Sequence, residues 1–380
     1  MQKDLGNLKE NFGIEDIKSI PKPLLAWYDE HKRVLPWREV PDPYKVWVSE
    51  IMLQQTRVEA VKLYYERFMR ALPGIAELAD ANEETLLKLW EGLGYYNRVR
   101  NLQKAARVIM EKHDGKMPAD HDALLALPGI GSYTAGAIAS IAFQIPKPAV
   151  DGNVLRVLSR IRADERIISD EKVRKAVETE VEAIMPKDRP GDFNQAMMEI
   201  GACVCVPNGA PHCEACPLEK LCKAHAKGEE LSYPKKEPKK SRTEEKKTVL
   251  LIRDDAKIAI TKRPAKGLLA GMYEFPCLAG YVSSREVIRH LGENGYKVLR
   301  IQPLEDAKHV FTHKEWLMKG FLVRVDELDK GQLGVDAKQW IFIDPEEVRE
   351  KYPIPSAYEQ YAKKLRMVRG KNRFLEDEGK

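Results

Sequence analysis

Four cysteines are concentrated in the run CVPNGAPHCEACPLEKLC, and they constrain the fold of this chain more than any other feature. Cys205, Cys213, Cys216 and Cys222 are separated by gaps of seven, two and five residues. Four closely spaced thiolates suit either a tetrahedral zinc ion or a four-iron, four-sulfur cluster. The C-x-x-C step is common to both, so the cysteines predict a metal centre and leave its identity open. Disulfide pairing is the less favoured alternative, because nothing marks the chain as secreted.

The N-terminus and the apolar runs indicate the compartment. The segment MQKDLGNLKENFG carries acids and lacks the apolar stretch of a secretory signal. No apolar run approaches the roughly 18 residues that cross a bilayer. We therefore expect a cytoplasmic protein with no membrane partner. In that reducing compartment clustered cysteines usually hold metal, and we expect Cys203 and Cys277 to be small buried residues.

The chain of 380 residues is long for one core and predicts several domains. Residues 1–225 contain apolar positions at helical spacing from residue 22 onward. Residues 226–247 are polar and rich in lysine, which predicts a linker. Residues 248–368 predict an α+β domain, and residues 369–380 a frayed tail. The net charge of +5 permits nucleic-acid binding without requiring it.

The α+β assignment depends on the spacing of apolar residues, which changes after the lysine-rich segment from helical spacing to alternation along the chain. Two runs flank an Asp-Asp-Ala turn and predict paired strands, and other runs predict further strands and helices. The predicted strands are Thr248–Arg253, Lys257–Thr261, Leu317–Val325 and Gln339–Ile343, and the predicted helices are Ser284–Gly292 and Ser356–Arg366.

The segment LLALPGIGSYTAGAIASIA predicts two helices joined by a tight glycine-containing turn. The first helix is expected to end at Leu127 and the second to begin at Ser132. Gly129 and Gly131 would free the backbone so that turn amides, with those of the second helix N-terminus, form a seat for phosphate. A corner between helices with no ligand remains an equal alternative from these residues alone.

Four motifs in order carry a resemblance to a known family. LPGIGSYTAGAI, within residues 121–142, resembles the helix-hairpin-helix of base-excision DNA glycosylases, and Pro148–Val154 resembles their Gly/Pro-rich segment with its catalytic aspartate. With the upstream run WVSEIMLQQT and the cysteine loop, the chain resembles adenine DNA glycosylases over nearly its whole length. The resemblance implies a monomeric hydrolase of base excision repair. Its partner would be double-stranded DNA containing 8-oxoguanine·adenine or G·A mispairs.

Cleavage of the bond between adenine and its sugar requires an acid for the leaving base and a carboxylate for the cationic sugar. Glu50 lies in an apolar setting, so burial would raise its pKa and keep its proton available near neutral pH. Asp151 lies in a polar turn that favours ionisation. The resemblance implies that Glu50 protonates adenine and Asp151 supports the sugar cation, with Asn153 positioning the acid. Taken alone, each carboxylate is more often a solvated helix residue or a turn former.

Position 133 distinguishes relatives within this fold. Glycosylases of the endonuclease III type carry a lysine there as the Schiff-base nucleophile, whereas this chain has Tyr133, which cannot form an imine. The resemblance implies that Tyr133 supports the carboxylates. We therefore predict a monofunctional glycosylase that leaves an abasic site.

The adenine must leave the base stack before it can be cleaved, and side chains must fill the vacated space. The resemblance implies that Gln55 enters the duplex and that Tyr95 wedges beside the partner base. Leu53 and Thr56 would contact the lesion side, and Arg38 would line the adenine pocket. Ordinary core packing is the alternative role of Leu53 and Tyr95.

The same resemblance selects one [4Fe-4S] cluster over zinc for the four cysteines. The family usually has six residues in the first cysteine gap, and this chain has seven between Cys205 and Cys213. We expect the insertion to bulge the loop without changing the ligands. The cluster is expected to be structural, because hydrolysis needs no electron.

The C-terminal part resembles the Nudix-like domain that adenine glycosylases append. The stretch SREVIRHL lacks the glutamate run that would hold magnesium, so this domain should bind and not hydrolyse. The family reads 8-oxoguanine with a Phe-Ser-His loop, and here Phe311, Thr312 and His313 match, with threonine in place of serine. The threonine hydroxyl keeps both hydrogen-bonding roles.

Two other functions remain open at this stage. One is a glycosylase of the same fold that acts on thymine or an oxidised pyrimidine. The other is a DNA-binding protein with a structural metal and no catalysis, which would have no need for both Glu50 and Asp151.

Overall fold

The computed structural model describes residues 14–238, 241–254, 256–326 and 340–365. The chain divides into two compact units, one of residues 1–80 with 101–238 and one of residues 81–100 with 239–380. We call them the helical unit and the sheet unit. The predicted fold class, a helical part followed by an α+β domain, is confirmed. None of the described helices is long and apolar enough to span a membrane.

Helices form the N-terminal part of the chain, as the apolar spacing predicts. Caps of the expected kind set several of their ends: Asp42, Asp120 and Asp151 each accept hydrogen bonds from backbone amides of the helix that follows. The helices are α1 Pro21–His31, α2 Pro43–Leu53, α3 Val58–Ala71, α4 Ile75–Asp80, α5 Glu83–Leu89, α6 Asn97–Lys112, α7 His121–Leu125, α8 Ser132–Phe143, α9 Gly152–Arg162, α10 Glu171–Ile184, α11 Pro190–Cys203 and α12 Lys223–Ala226.

Helix α8 is a central element of the helical unit and packs against α2, α7 and α11. It begins at Ser132 as predicted, and residues 134–141 are buried. Its small residues permit close approach: a Cβ on Gly136 would lie 1.9 Å from the carbonyl oxygen of Pro148. The segment after α8 is therefore held directly against it.

Asn194 of α11 fixes that same segment from the other side. Its side chain is 1% exposed, accepts a hydrogen bond from the Ala149 amide and donates to the Ser140 hydroxyl and the Lys147 carbonyl. Its amide thus ties residues 147–149 to helix α8. An apolar cluster of α1, α9, α10 and α11 lies beyond it and includes Leu24, Leu158 and Phe193.

In the described residues the sheet unit contains a seven-stranded sheet in the order β3-β2-β1-β6-β5, with β4 paired to β1 and β7 to β2. The β1–β6 pair is parallel and the other pairs are antiparallel. The strands are β1 Thr243–Asp254, β2 Lys257–Lys262, β3 Tyr273–Glu274, β4 Cys277–Ala279, β5 Val298–Val310, β6 Lys314–Val325 and β7 Trp340–Ile343.

Each face of the sheet carries its own apolar cluster because side chains alternate along the strands. Leu250 and Ile252 lie on the face covered by helix α13, Ser284–Glu293. Val249 and Leu251 lie on the opposite face, covered by α14, Pro345–Lys351, and α15, Glu359–Lys364.

Two sequence predictions need correction. Within residues 226–247, predicted as a linker, Tyr233 is 4% exposed and its hydroxyl donates to Glu165 at 2.7 Å, while β1 begins at Thr243. The lysine-rich composition gave no sign that Tyr233 is buried or that a strand begins at Thr243. Cys203, predicted to be buried, is exposed, because it lies at the last turn of α11.

Candidate active site and metal centre

Glu50 is a buried carboxyl group on a rigid helix. It lies in the last turns of α2, where residues 46–52 are all buried, and its own exposure is 5%. The pKa of Glu50 is raised to about 7, chiefly by burial and in part by the charge of Asp151. The Tyr133 hydroxyl and the charge of Arg38 act in the opposite direction. The expectation of a raised pKa from the apolar setting therefore agrees with the geometry.

Tyr133, in the first turn of α8, lies directly beside Glu50. Its hydroxyl donates to Glu50 Oε2 at 2.5 Å and is 3.1 Å from Met198 Sδ. Burial raises the pKa of Tyr133 well above its usual value, and the carboxylates add to the effect. The phenol thus remains protonated and available as a hydrogen-bond donor to Glu50.

Asp151 is the N-cap of α9. Its Oδ1 accepts from the amides of Asn153 and Val154, both at 2.8 Å, and its Oδ2 accepts from Asn153 Nδ2 at 2.7 Å. The polar turn predicted from the sequence is therefore present. Burial nevertheless outweighs these bonds and raises the pKa of Asp151. This direction is opposite to the one expected from the sequence, where the polar turn favours ionisation.

Arg156 connects this carboxylate to the cysteine loop, and sequence reasoning missed it. One Nη donates to Asn153 Oδ1 at 2.9 Å and to the Gly201 carbonyl at 2.7 Å, and Nε donates to the Cys205 carbonyl at 2.8 Å. Asn153 therefore has fixed partners on both sides. The helical spacing of Asn153 and Arg156, one turn apart on α9, was the available signal.

Glu199 is a second missed residue and is 1% exposed. It accepts from Arg33 Nε at 2.6 Å and from Arg38 Nη2 at 2.8 Å, and these charges lower the pKa of Glu199 against the effect of burial. Arg38, predicted to line an adenine pocket, is thereby held by a carboxylate. The run MMEIGAC places this acid among apolar residues, the same signal that identified Glu50.

The turn between α7 and α8, predicted to hold a phosphate, requires glycine at one of its two glycine positions. Gly129 has φ of +77°, and a Cβ there would lie 2.6 Å from the Cβ of Asn101. Glycine is therefore required both by the backbone conformation and by the lack of space. Gly131 is the N-cap of α8 with φ of −98°, so positive φ applies to Gly129 alone. Gly131 is exposed, and a Cβ there would meet nothing within 4 Å.

Two residues predicted to enter DNA have left-handed backbones. Gln55 has φ of +60° and Tyr95 has φ of +49°, a region that costs energy for residues other than glycine. Gln55 and Tyr95 are both exposed. The turn after α2 that contains Gln55 is closed by the Thr56 amide, which donates to the Leu53 carbonyl at 3.2 Å.

Tyr95 and Thr312 meet within the sheet unit, 217 residues apart in the chain. The two hydroxyl oxygens are 3.1 Å apart. Phe311 is half-buried and its ring packs edge-on against Trp316, while Thr312 and His313 are exposed. Phe311 is thus anchored in the core of the sheet unit, and Thr312 is presented at its surface beside Tyr95.

The four cysteines line one cavity behind α9 and α11. None forms a disulfide, so that alternative is not supported. The pKa of Cys213 is raised to about 11 and that of Cys216 to about 12, with burial as the main cause and a contribution from the other thiols. Arg160 Nη1 donates to Cys205 Sγ at 3.2 Å. Four mutually close thiols with a cationic neighbour suit a thiophilic metal centre that would hold them as thiolates.

Cys213 also lies near His225 and Glu230, and one possible ligand atom from each of the three is within 4.8 Å of the others. His225 Nδ1 is 2.5 Å from Glu230, which raises the pKa of the imidazole. The insertion in the first cysteine gap leaves Cys213 facing the cavity with the other three cysteines.

Comparisons with known proteins agree with this geometry. Residues 48–183 match the HhH-GPD superfamily of base excision DNA repair proteins, and residues 248–364 match the NUDIX domain. The chain is 34% identical to the adenine DNA glycosylase of Mus musculus, over 83% of this chain and 72% of that protein. It is 31% identical to that of Buchnera aphidicola subsp. Acyrthosiphon pisum, over 90% and 97%. The structure of a thermostable thymine-DNA glycosylase superposes with a TM-score of 0.51 at 29% identity, over 56% and 98%.

Proposed function

The chain belongs to the adenine DNA glycosylases of base excision repair, and from this premise we propose that it excises adenine paired with 8-oxoguanine or guanine and leaves the DNA strand intact. The observation that carries the proposal is the buried Glu50, with its pKa near 7, hydrogen-bonded to Tyr133 and electrostatically coupled to Asp151. A carboxylic acid that is partly protonated at neutral pH suits the departure of adenine as a neutral base.

In the proposed mechanism the adenine is flipped from the duplex and Glu50 donates its proton to N7. The glycosidic bond then lengthens and positive charge develops on the sugar. Asp151 stabilises this charge, held in place by the amides of Asn153 and Val154. Water completes the hydrolysis, with Glu50, now ionised, as its base.

Tyr133 supports a monofunctional reaction. A strand cut by β-elimination needs an amine that forms an imine with the sugar, and Tyr133 occupies the position beside Glu50 where such an amine would act. The proposed product is therefore an abasic site in an uncut strand.

Recognition of the opposite base is proposed for the Tyr95–Thr312 pair. The two hydroxyls are 3.1 Å apart at the surface of the sheet unit, so Thr312 can hydrogen-bond a purine edge while the Tyr95 ring stacks beside it. Gln55 fills the space that the adenine leaves. The strained backbones of Gln55 and Tyr95 support roles in contact with DNA.

The exposed position of Gly131 at the N-terminus of α8 supports binding of a DNA phosphate by the α7–α8 turn. Affinity for duplex DNA should fall steeply with salt because phosphate contacts release counterions. We further propose that the protein acts as a monomer in the bacterial cytosol or nucleoid.

We propose that the four cysteines hold one [4Fe-4S] cluster. Their shared cavity and the donation from Arg160 to Cys205 support this choice. The cluster would hold the cysteine loop in place, and through the loop the Cys205 carbonyl that anchors Arg156. Metal analysis and absorbance of protein purified without oxygen test the identity. About four irons per chain are expected in the wild type and in Cys203→Ala, whereas Cys216→Ala should lose them. Zinc in place of iron contradicts the proposal.

The decisive experiment uses a labelled duplex with one 8-oxoguanine·A pair, analysed on denaturing gels with and without hot alkali. A break at the adenine only after alkali is expected. A break without alkali contradicts the monofunctional reading of Tyr133. Intact DNA binding with no break at this pair or at G·A contradicts the proposed function, and parallel duplexes carrying G·T or oxidised pyrimidines test the alternative substrates.

A further inference from the structure

Three arginines lie side by side across neighbouring strands of the sheet unit. Arg253 of β1 is the register partner of Arg324 of β6, and Arg324 is also the partner of Arg300 of β5. Residues paired in register project from the same face of a sheet. The three side chains therefore form a row across β1, β6 and β5, which we call the arginine row.

The described residues do not neutralise this row. No ion pair or hydrogen bond from another described side chain reaches the three guanidinium groups, and the buried Nε of Arg253 has no hydrogen-bond partner. Like charges that are directly opposite across strands destabilise a sheet, and a buried donor without a partner costs further free energy. The neighbouring Asp254 does not relieve the row, because strand alternation directs it to the other face, where its charge raises the pKa of Tyr296.

An open cavity of about 330 Å³ lies over the row. Its walls are the three arginines with Gln302, Leu322 and Val323. Guanidinium groups bind phosphate through paired N–H donors, and Gln302 adds an amide donor at the rim. The cavity is large enough for a diphosphate or for a backbone phosphate with its flanking sugars.

The row is separate from the surface proposed to read the lesion. Phe311–His313 precede the first residue of β6, whereas Arg324 is next to its last residue, so almost the whole twelve-residue strand lies between them. At about 3.3 Å per residue this separation is roughly 30 Å. The row also lies on the face opposite to α13, in phase with Leu251 and Leu322 of the cluster beneath α14 and α15.

We propose that the arginine row is a phosphate-binding site of the sheet unit, and this proposal does not depend on adenine excision. A bound phosphate would pair with the three guanidinium groups, give Arg253 Nε an acceptor and relieve the repulsion between neighbouring strands. The phosphate could belong to the backbone of DNA or to a soluble diphosphate.

The first test measures inorganic pyrophosphate binding to the full chain by calorimetry, at constant ionic strength set with sodium chloride. Arg324→Gln removes the centre of the row and is expected to weaken binding at least fivefold. Arg300→Gln, on the edge strand, should weaken it about threefold and serves as a second variant. Arg285→Gln, an exposed position on α13, makes the same charge change and should bind as the wild type does.

Thermal unfolding distinguishes a specific phosphate site from a general effect of positive charge on the protein. Without pyrophosphate, Arg324→Gln should be at least as stable as the wild type because repulsion in the row decreases. Pyrophosphate should raise the unfolding temperature of the wild type and of Arg285→Gln, and of Arg324→Gln much less. An equal response in all four proteins, or no response in the wild type, overturns the proposal.

Anisotropy with a duplex that lacks any mispair identifies the source of the phosphate. If Arg324→Gln weakens duplex binding at least threefold relative to Arg285→Gln, and pyrophosphate competes with the duplex, the site holds the DNA backbone. If duplex binding is equal while pyrophosphate binding is lost, the site holds a soluble diphosphate. Adenine release from 8-oxoguanine·A duplex by the same proteins is scored separately, so failure of the proposed enzyme function would leave the pyrophosphate result intact.

Discussion

Glu50 combines two properties that the chemistry requires, a position inside the protein and a proton near neutral pH. Its pKa of about 7 means that the protonated form is lost as pH rises above neutrality. We expect adenine release under single-turnover conditions to decline on the alkaline side of pH 7. Glu50→Gln should lower the rate by roughly 10²-fold or more, the usual contribution of a general acid, with duplex affinity retained. The exposed Glu171→Gln should match the wild type, and a comparable rate in Glu50→Gln would refute the role of Glu50 as the acid.

The raised pKa of Glu50 also predicts a cost in stability. Between pH 4.5 and about 7 the folded protein keeps a proton that the unfolded chain has released, so stability falls as pH rises through this window. The loss is roughly 3 kcal/mol at most for a shift of this size. Glu50→Gln cannot ionise, so its unfolding temperature should exceed that of the wild type at pH 8 and approach it at pH 4.5. A stability difference that is the same at both pH values would contradict this reasoning.

Tyr133 lowers the pKa of Glu50 through one hydrogen bond, against the larger effect of burial. Because this bond lowers the pKa, Tyr133→Phe should raise it and move the alkaline limb of the kcat/KM profile to higher pH. A role in packing alone would lower the rate without moving the limb. The exposed Tyr281→Phe provides the control, and a limb that stays in place or moves to lower pH would contradict the assigned role.

Some residues of the site could be identified from the sequence and others could not. Glu50 and Asp151 follow from an acid among apolar residues and an acid before a Gly-Asn turn. Glu199 has the same signal as Glu50 and was missed because no motif drew attention to it. The strained backbones of Gln55 and Tyr95 could not be predicted, because residues other than glycine adopt positive φ only when the surrounding structure imposes it.

At the scale of elements, the prediction succeeded where local signals were strong. Helix α8 begins at Ser132 because Gly131 ends the turn, and β1 and β2 pair antiparallel as predicted, with Asp254 opposite Lys257. Strand β5 was missed because it lies at the edge of the sheet, is largely exposed and contains register shifts at two places, so its apolar residues do not alternate regularly. Pairing with β6 defines it, and that contact is invisible in one sequence.

Gly136 illustrates how an element positions the site. A Cβ there would lie 1.9 Å from the Pro148 carbonyl oxygen, and backbone on both sides prevents an easy shift. Gly136→Ala should therefore destabilise the helical unit by roughly 1–3 kcal/mol or more and displace residues 148–151, which carry Asp151. Gly152→Ala adds a methyl group to open space and should be tolerated in stability. Thermal unfolding followed by circular dichroism compares the two, and equal unfolding temperatures would refute the packing argument.

At the scale of the whole molecule, the division into units differs from the order of the sequence. Residues 81–100 precede the α7–α8 turn in the chain, yet they belong to the sheet unit. Glu84 accepts from Lys262 at 2.8 Å and from the Tyr273 hydroxyl at 2.9 Å. Glu91 accepts from the Ile354 amide at 3.0 Å. A linear sequence shows a helical pattern here and gives no sign that its partners lie more than 170 residues away.

These contacts predict a specific consequence of truncation. A chain that ends at Pro238 lacks Lys262, Tyr273 and Ile354, the partners of Glu84 and Glu91 named above, so α5 should lose most of its protection although it remains in the chain. Hydrogen exchange should rise at least tenfold in peptides covering residues 83–96, while peptides from α8 and α9 stay protected as in the full chain. Glu84→Gln in the full chain should raise exchange in the same peptides to a smaller extent. Unchanged protection of residues 83–96 after truncation would show that the helical unit alone orders this segment, and the assignment of these residues to the sheet unit would then be wrong.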